Sequence, residues 1–148
     1  MRSLDLDLFN PIGINEAKAR FIEALLLTCL LKDSPKISDS DHRINNANQL
    51  AVASFGRKPG LQLDKGDQKI LLQDWATEIL ESMQPVCAIL DKEDVDKPYS
   101  SALAQQQLLV QNPDLTASAK ILENMTQTQQ PFSRFALNKS RSRERISI

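Results

Sequence analysis

The sequence has few of the residues from which most small active sites are built. Among its 148 residues there are one histidine, His42, and two cysteines, Cys29 and Cys87. A single histidine excludes a histidine-rich metal cluster drawn from this chain alone. Each cysteine lies in an apolar helical stretch, so we expect two free, buried thiols in a reducing compartment, which indicates the cytoplasm.

Common catalytic motifs and long hydrophobic runs are also missing. The chain contains no glycine-rich phosphate loop and no Cys-x-x-Cys, HExxH or GxSxG pattern. Its longest apolar run, residues 24–31, is interrupted by Thr28 and is far shorter than the roughly 18 residues of a membrane span. We therefore expect no membrane partner. We also expect no signal peptide, because no charged leader and apolar stretch precede a cleavage site.

Charge is unevenly distributed along the chain. The net charge is −1, but the residues from Arg134 onward include five bases and one acid, a net of +4. A basic tail of this kind can neutralise nucleic-acid phosphates. This one has no interleaved aromatic residues beyond Phe132 and Phe135, which favours a solvated tail over a nucleic-acid site.

The clearest strand pattern stands at the start of the chain. Residues 3–8 alternate polar side chains with Leu4, Leu6 and Leu8, which is the period of a strand with one dry face and one wet face. Asn10-Pro11 and Gly13 then form a turn. A single strand needs neighbours for its backbone hydrogen bonds, so the pattern predicts a strand whose sheet lies elsewhere.

Three groups of charged residues are candidates for ligand binding. Strict alternation places Arg2 on the leucine face, where a guanidinium needs a phosphate or an acidic partner unless it lies in water. The carboxylates of Asp5 and Asp7 share the other face and could bind a cation, although solvation is the favoured interpretation. Arg57 and Lys58 lie beside two glycines and could contact an anion, but a solvated turn is again favoured.

The remaining sequence predicts helices and loops. The expected helices run from a cap at Asn15 to about Lys32, from about Asp41 to Ser54, from a cap at Asp67 to Leu90, from Ser100 or Ser101 to Val110, and from a cap at Thr116 to Met125. Pro85 should kink or split the third helix. Residues 126–148 are rich in polar and basic side chains and predict disorder. The predicted fold class is therefore mainly α, with one N-terminal strand, about five helices and a disordered basic tail.

Four stretches, in this order and at this spacing, resemble the proteobacterial glutamate–cysteine ligases (γ-glutamylcysteine synthetases). They are Arg2-Ser3-Leu4-Asp5 to Phe9-Asn10-Pro11-Ile12-Gly13, then Ala19-Arg20-Phe21, residues 56–63, and residues 112–119 followed by Ile121-Leu122. The resemblance covers residues 2 to about 125, after which the sequence departs from the family. It implies that residues 1–125 form the C-terminal portion of a longer enzyme similar to glutamine synthetase, whose antiparallel sheet holds nucleotide and metals.

The resemblance also implies an activity. Such ligases join the γ-carboxyl of glutamate to the amine of cysteine through a γ-glutamyl phosphate, with ATP and Mg²⁺, as the first step of glutathione biosynthesis. The metal, glutamate and cysteine ligands would lie mostly in a missing N-terminal catalytic portion, so no metal ligand is expected here and the isolated chain should be inactive. Arg2 matches a family arginine expected to contact nucleotide or acyl phosphate, which makes it the one expected catalytic and cofactor-binding residue.

The residues alone also allow a non-enzymatic helical module that binds a partner protein. In this alternative, Leu4, Leu6 and Leu8 would add a strand to the edge of the partner's sheet. A piece of a larger core should instead expose apolar helix faces. Solution behaviour separates the two interpretations: a piece of a larger core should aggregate or bind a hydrophobic dye, whereas a self-contained module should be monodisperse and melt cooperatively.

Overall fold

The computed structural model describes residues 7–10 and 12–144, and over these residues the chain is mainly helical. In chain order, the elements are α1 (Glu16–Leu31), α2 (Asp39–Phe55), β1 (Gln62–Lys65), β2 (Gln68–Leu71), α3 (Leu72–Leu90), α4 (Pro98–Gln111), a 3-10 turn (Pro113–Leu115), α5 (Ala117–Thr128) and α6 (Phe132–Glu144). The predicted α class is confirmed. The predicted N-terminal strand falls mostly on residues 1–6, which lie outside the described residues.

Helix α3 is the centre of the fold and packs against both α1 and α4. Met83 is fully buried, and Cys87, one turn later, is 1% exposed. These two side chains meet Ala24 of α1 and Leu103 of α4 in one apolar cluster. Burying each large side chain in such a cluster contributes roughly 1.5–3 kcal/mol, so this cluster supplies much of the stability of the described fold.

The proline inside α3 does not split the helix, which runs unbroken from Leu72 to Leu90. A helical proline removes one N–H and crowds the carbonyl four residues earlier, which here belongs to Glu81. Pro85 is exposed, whereas Met83 and Cys87 on either side of it are buried. Packing of the buried face therefore outweighs the local cost. Of the two predicted effects of Pro85, splitting is wrong, and a kink stays a prediction.

Local capping signals placed the starts of α1 and α5 correctly, whereas α4 begins at Pro98 rather than at the predicted Ser100 or Ser101. The Asn15 side chain accepts a hydrogen bond from the N–H of Lys18 at 2.8 Å, and Thr116 accepts one from Ala119 at 3.3 Å. Helix α2 begins earlier than predicted, because Ser38 forms a capping box with Asp41.

A β-hairpin replaces the loop and helix cap predicted before α3. Strands β1 and β2 are antiparallel, with Leu63 opposite Ile70 and Lys65 opposite Gln68. The turn contains Gly66 at φ +62°, a left-handed conformation that glycine adopts without a Cβ clash. Asp67 therefore lies in the hairpin turn rather than at the start of a helix.

The hairpin is bound to α2 by Asn48, whose side-chain amide forms the two hydrogen bonds that a neighbouring strand would form. Nδ2 of Asn48 donates to the carbonyl of Asp64 at 2.7 Å, and the N–H of Asp64 donates to Oδ1 of Asn48 at 3.0 Å. The asparagine thus gives the edge of β1 the paired donor and acceptor that a further strand would offer. This contact explains why Asn48, a residue type of low helix propensity, lies within α2.

The stretch after Met125 is helical over most of its length, in contrast to the predicted disorder. Helix α5 continues to Thr128, and α6 follows from Phe132 to Glu144. Phe135 is 6% exposed, so α6 has an apolar anchor that composition did not reveal. The division of the chain at residue 125 stays a prediction.

Asp91 joins the end of α3 to the start of α4. Its two carboxylate oxygens accept hydrogen bonds from the N–H groups of Tyr99 at 2.9 Å and Ser100 at 2.8 Å. These are N-terminal donors of α4, which have no partner within the helix. Burial alone would raise the pKa of the Asp91 carboxyl, but the hydrogen bonds from Ser100 and Tyr99 outweigh burial and lower it below its ordinary value.

The cysteines differ in environment. Both are free, but Cys87 is buried and Cys29 is exposed, so the expectation of two buried thiols is wrong for Cys29. That residue shares the outer face of α1 with the exposed Leu26 and Leu30. Burial, followed by the charge of Asp91, raises the pKa of the Cys87 thiol.

Within the described part of the chain, no helix combines the length and apolarity that crossing a membrane requires.

We predict that Asp91→Ala lowers the free energy of unfolding by about 1–3 kcal/mol near neutral pH, because two partly buried N–H groups lose their charged acceptor. The lowered pKa means that this stabilisation is present above the unfolded value near 3.8 and disappears as pH falls through the folded value. Urea unfolding near pH 7 and near pH 3 measures the change, with exposed Glu93→Ala as control. A penalty that does not shrink in acid would contradict the assignment.

We also predict one reactive thiol in the native chain. A thiol reagent such as Ellman's reagent should label Cys29 at once and Cys87 only on unfolding, because thiolate formation at Cys87 is suppressed by burial. In Cys29→Ser, native labelling should be lost. Rapid labelling of that variant under native conditions would show that the α1–α3–α4 cluster is open.

Candidate functional site

The segment that follows the candidate arginine forms a closed turn, which we call the N-terminal turn (residues 7–10 and 12–14). The N–H of Asp7 donates to the carbonyl of Gly13 at 2.8 Å, and the N–H of Gly13 donates to the carbonyl of Asn10 at 3.0 Å. Gly13 has φ +79°, which requires glycine for an unstrained backbone. The turn begins five residues after Arg2, which itself lies outside the described residues.

Asp7 is the polar centre of this turn. Its carboxylate accepts hydrogen bonds from the N–H of Phe9 at 2.9 Å and from Nδ2 of Asn10 at 2.6 Å, and it forms an ion pair with Lys18 of α1. Burial alone would raise the pKa of Asp7, but Lys18, Phe9 and Asn10 together lower it below its ordinary value. Asp7 is 9% exposed, so the expectation of a solvated carboxylate is wrong.

Helix α6 packs on the opposite side of the turn. The rings of Phe9 and Phe135 meet edge to face with centroids 6.4 Å apart. Nζ of Lys139 lies 5.4 Å from the Phe9 centroid and 5.8 Å from that of Phe135, within the range of a cation–π interaction. The N-terminal turn is therefore held by α1 through an ion pair and by α6 through aromatic packing.

The second cationic candidate is already paired. The guanidinium of Arg57 donates to Oδ1 of Asp114 at 3.0 Å, and both side chains are largely solvent-accessible, at 39% and 82%. Such an exposed pair contributes little to stability. Lys58 is exposed beside it. The structure thus favours the solvated turn over an anion site at Arg57 and Lys58.

An apolar groove of about 760 Å³ lies between the ends of α2, α3, α4 and α5. Its walls include Val52, Phe55, Ile79 and Leu122, which are all exposed large apolar side chains. The charged residues of its lining are Arg57 and Lys58, which lie at one end of the groove. The groove lacks the acids, histidines and cysteines that chemistry requires, so it is a packing surface and not a reaction centre.

Metal ligands do not converge in the described residues: no group of three acidic, histidine or cysteine side chains there could hold an ion. The oxygen lone pairs of Asp7 already serve the N-terminal turn, and Asp5 lies outside the described residues. These residues do not fit a Mg²⁺ site. Arg2 also lies outside them, so its proposed phosphate contact stays a prediction.

We predict that the Asp7–Lys18 pair is energetically coupled. A double-mutant cycle of Asp7→Ala and Lys18→Ala should give about 1–3 kcal/mol, because a charged hydrogen bond is removed from a buried carboxylate. The lowered pKa of Asp7 means that coupling should fade as pH falls through the folded value. Glu16 and Arg20, also on α1, form an exposed control pair with smaller expected coupling. Equal coupling in both pairs would contradict the burial argument.

The chain is similar to one enzyme family. The sequence model of glutamate–cysteine ligase matches residues 1–52. The glutamate–cysteine ligase of Pseudomonas entomophila is 38% identical over 141 residues, which are 95% of this chain and 27% of that protein. That of Azotobacter vinelandii is 40% identical over 140 residues, which are 95% of this chain and 26% of that protein.

A solved structure agrees along almost the whole chain. The crystal structure of the Francisella tularensis glutamate–cysteine ligase in complex with AMP matches 98% of this chain and 28% of that one, with TM-score 0.83 and 35% identity. The 2% of the chain that is unmatched is shorter than the 13-residue α6. The similarity therefore extends into α6, past Met125, where the sequence had suggested a departure from the family. The chain spans about a quarter of the length of these relatives. Over nearly its whole length, the chain is therefore similar to one portion of the glutamate–cysteine ligases.

Proposed function

We propose that this chain is the C-terminal, mainly helical portion of a glutamate–cysteine ligase. The complete protein would join the γ-carboxyl of L-glutamate to the amine of L-cysteine, spending ATP through a γ-glutamyl phosphate in the first step of glutathione biosynthesis. We place the reaction in the cytoplasm, where a reducing environment keeps thiols such as Cys29 and Cys87 free.

The observation that carries this proposal is the structural similarity of nearly the whole chain to one part of a single ligase. A similarity confined to one helical hairpin would be weak support, because such pieces recur in unrelated folds. Here it includes the α1–α3–α4 cluster, the hairpin and the N-terminal turn in one arrangement. The AMP bound to that relative supports a nucleotide-dependent reaction for the complete protein.

The apolar surface of the chain supports a role as part of a larger body. Leu30 and Leu31 of α1 are 78% and 73% exposed, and Leu50 of α2 is 69% exposed. Together with the apolar groove, they leave large apolar side chains uncovered on several helices, as expected of a piece of a larger core. The rest of the ligase would cover these faces, which also fits this chain better than a free-standing interaction module.

Arg2 would supply positive charge at the reacting phosphates. A guanidinium donates two parallel hydrogen bonds to phosphate oxygens, and its charge stabilises the charge that spreads over them as the phosphoryl group is transferred. The N-terminal turn would hold the segment that carries Arg2 at a fixed place beside the helical body. In this proposal the described residues support and position, and the chemistry is completed by the remaining portion of the protein.

Mg²⁺ belongs with that remaining portion. When bound, it would neutralise negative charge on the phosphates. The described residues offer no suitable ligand group, so we assign none of them to the metal. The glutamate and cysteine pockets are likewise proposed to lie outside this chain.

The test uses a complete enzyme, made by replacing the matching segment of the Francisella tularensis ligase with this chain; we call it the completed ligase. We expect Arg2→Ala to lower its kcat by roughly 100- to 1,000-fold, as for loss of one transition-state charge contact. Arg2→Lys should recover part of the rate, because it restores charge without the bidentate geometry. ADP release that depends on both glutamate and cysteine is the measurement.

The matched control is Arg43→Ala, which removes an exposed arginine from α2 and should leave kcat within about twofold. Equal losses from Arg2→Ala and Arg43→Ala would count against a phosphate role for Arg2. A completed ligase that releases ADP without regard to cysteine would count against the proposed reaction.

A further inference from the structure

Helix α2 lines the apolar groove, although none of its 17 residues is buried. Among the described elements, its one extensive contact is with β1, and Leu50, Val52 and Phe55 are 69%, 38% and 58% exposed. Helices of this length are marginal in water by themselves, because most helical stability in proteins comes from packing of an apolar face. The described residues therefore leave α2 without the cover that such a helix needs.

Helix α5 also borders the groove and is attached in a similar way. Among the described elements, its one extensive contact is with the 3-10 turn (Pro113–Leu115) that precedes it. Leu122 of α5 and Ile79 of α3 line the groove and are 51% and 39% exposed. The groove thus lies beside two helices that the α1–α3–α4 cluster does not pack against extensively. An element placed in the groove would bury apolar side chains of both helices, which is favourable.

The charge of the groove is concentrated at one end. Arg57 and Lys58 are the charged residues of its lining, and the guanidinium of Arg57 is already paired with Asp114 at 3.0 Å. Lys58 is exposed and forms no ion pair with another described residue. An occupant that buried the apolar walls would remove water from around this ammonium, so it should carry a carboxylate at that end.

We propose that the groove is the docking site for an apolar segment of the remaining portion of the ligase, with an acidic side chain beside Lys58. The inference rests on the proposed function, because that portion belongs to the complete protein. This chain spans 27% of the length of the Pseudomonas entomophila ligase, so most of such a protein is available to supply the segment. Apolar side chains spaced along one face of a helix are a common way of filling a groove of this kind.

The test follows the reactivity of one introduced thiol in a Cys29→Ser background, where the native Cys87 is buried. Val52→Cys places the thiol on the groove wall. Val95→Cys is the matched control, because Val95 is 94% exposed and lies outside the groove lining. A thiol reagent should modify both positions rapidly in the 148-residue chain. In the completed ligase, Val52→Cys should react at least about tenfold more slowly and Val95→Cys within about threefold of its rate in the chain, as mass spectrometry of the labelled peptides reports.

The outcomes separate the docking site from the proposed reaction. Equal labelling of Val52→Cys in the chain and in the completed ligase would overturn the docking site, even if that ligase releases ADP. Protection of Val52→Cys without ADP release would support the docking site and count against the reaction. Protection that arises in the chain alone and grows with its concentration would indicate a second copy as the occupant, and would overturn the proposal.

The acidic side chain beside Lys58 is tested in the same assay. In the completed ligase, Lys58→Glu should speed the labelling of Val52→Cys at least about threefold, because two like charges would then face each other. Lys92→Glu, which changes an exposed lysine outside the groove lining, is the control and should leave the rate within about 1.5-fold. Equal rates in the two variants would overturn the predicted carboxylate.

A measurement on the chain alone keeps the inference testable if the completed ligase folds poorly. A dye that fluoresces on apolar surfaces should bind the 148-residue chain, because the groove is uncovered there. Val52→Asp should lower the fluorescence by at least about one third, since a charge enters that surface, whereas Val95→Asp should leave it within about one tenth. Equal fluorescence of the two variants would overturn the docking site, because the groove would then not be an uncovered apolar surface.

Discussion

The packing of α1 and α4 against α3 around Met83 is the interaction on which the rest of the structure depends. Met83 and Cys87 of α3 pack against Ala24 of α1 and Leu103 of α4, so the three helices share one apolar core. α1 is thereby held in one orientation, with Lys18 directed at the N-terminal turn. Asp91 fixes the angle between α3 and α4 by capping the second helix from the end of the first.

Outside this cluster, polar and aromatic contacts hold the smaller pieces. Asn48 ties the hairpin to α2, and Tyr99 on α4 donates a hydrogen bond to Glu23 of α1 at 2.7 Å. The N-terminal turn is held twice, by Lys18 and by Phe135. In the proposed enzyme, we expect the helical body to support the N-terminal turn and its uncovered apolar faces to pack against the remaining portion of the ligase.

Much of this fold could be predicted from local sequence, and the exceptions have a common cause. Asn15 and Thr116 were recognised as caps because a cap depends on its own backbone and the next few residues. The hairpin was missed because its short strands are mostly polar and their edge is satisfied by Asn48 from another element. Helix α6 was missed because its composition is polar, whereas its order comes from Phe135 meeting a ring at the other end of the chain.

The same distinction applies to the candidate site. Arg2 was identified from alternation and from resemblance, neither of which shows a neighbour. Asp7 was misjudged as solvated because its partner Lys18 lies on the next helix, and strand alternation carries no information about that helix. The aromatic support from α6 had no local signal at all, since Phe9 and Phe135 are ordinary apolar residues until the fold brings them together.

The central claim is that this chain is the supporting portion of a ligase and needs the remainder for chemistry. The most direct test compares ADP release from the purified 148-residue chain with that from the completed ligase, at equal concentration and with glutamate and cysteine both present. The account predicts no release above background from the chain alone and release dependent on both amino acids from the completed ligase. Turnover by the isolated chain would contradict it, because the reacting groups would then lie within these residues.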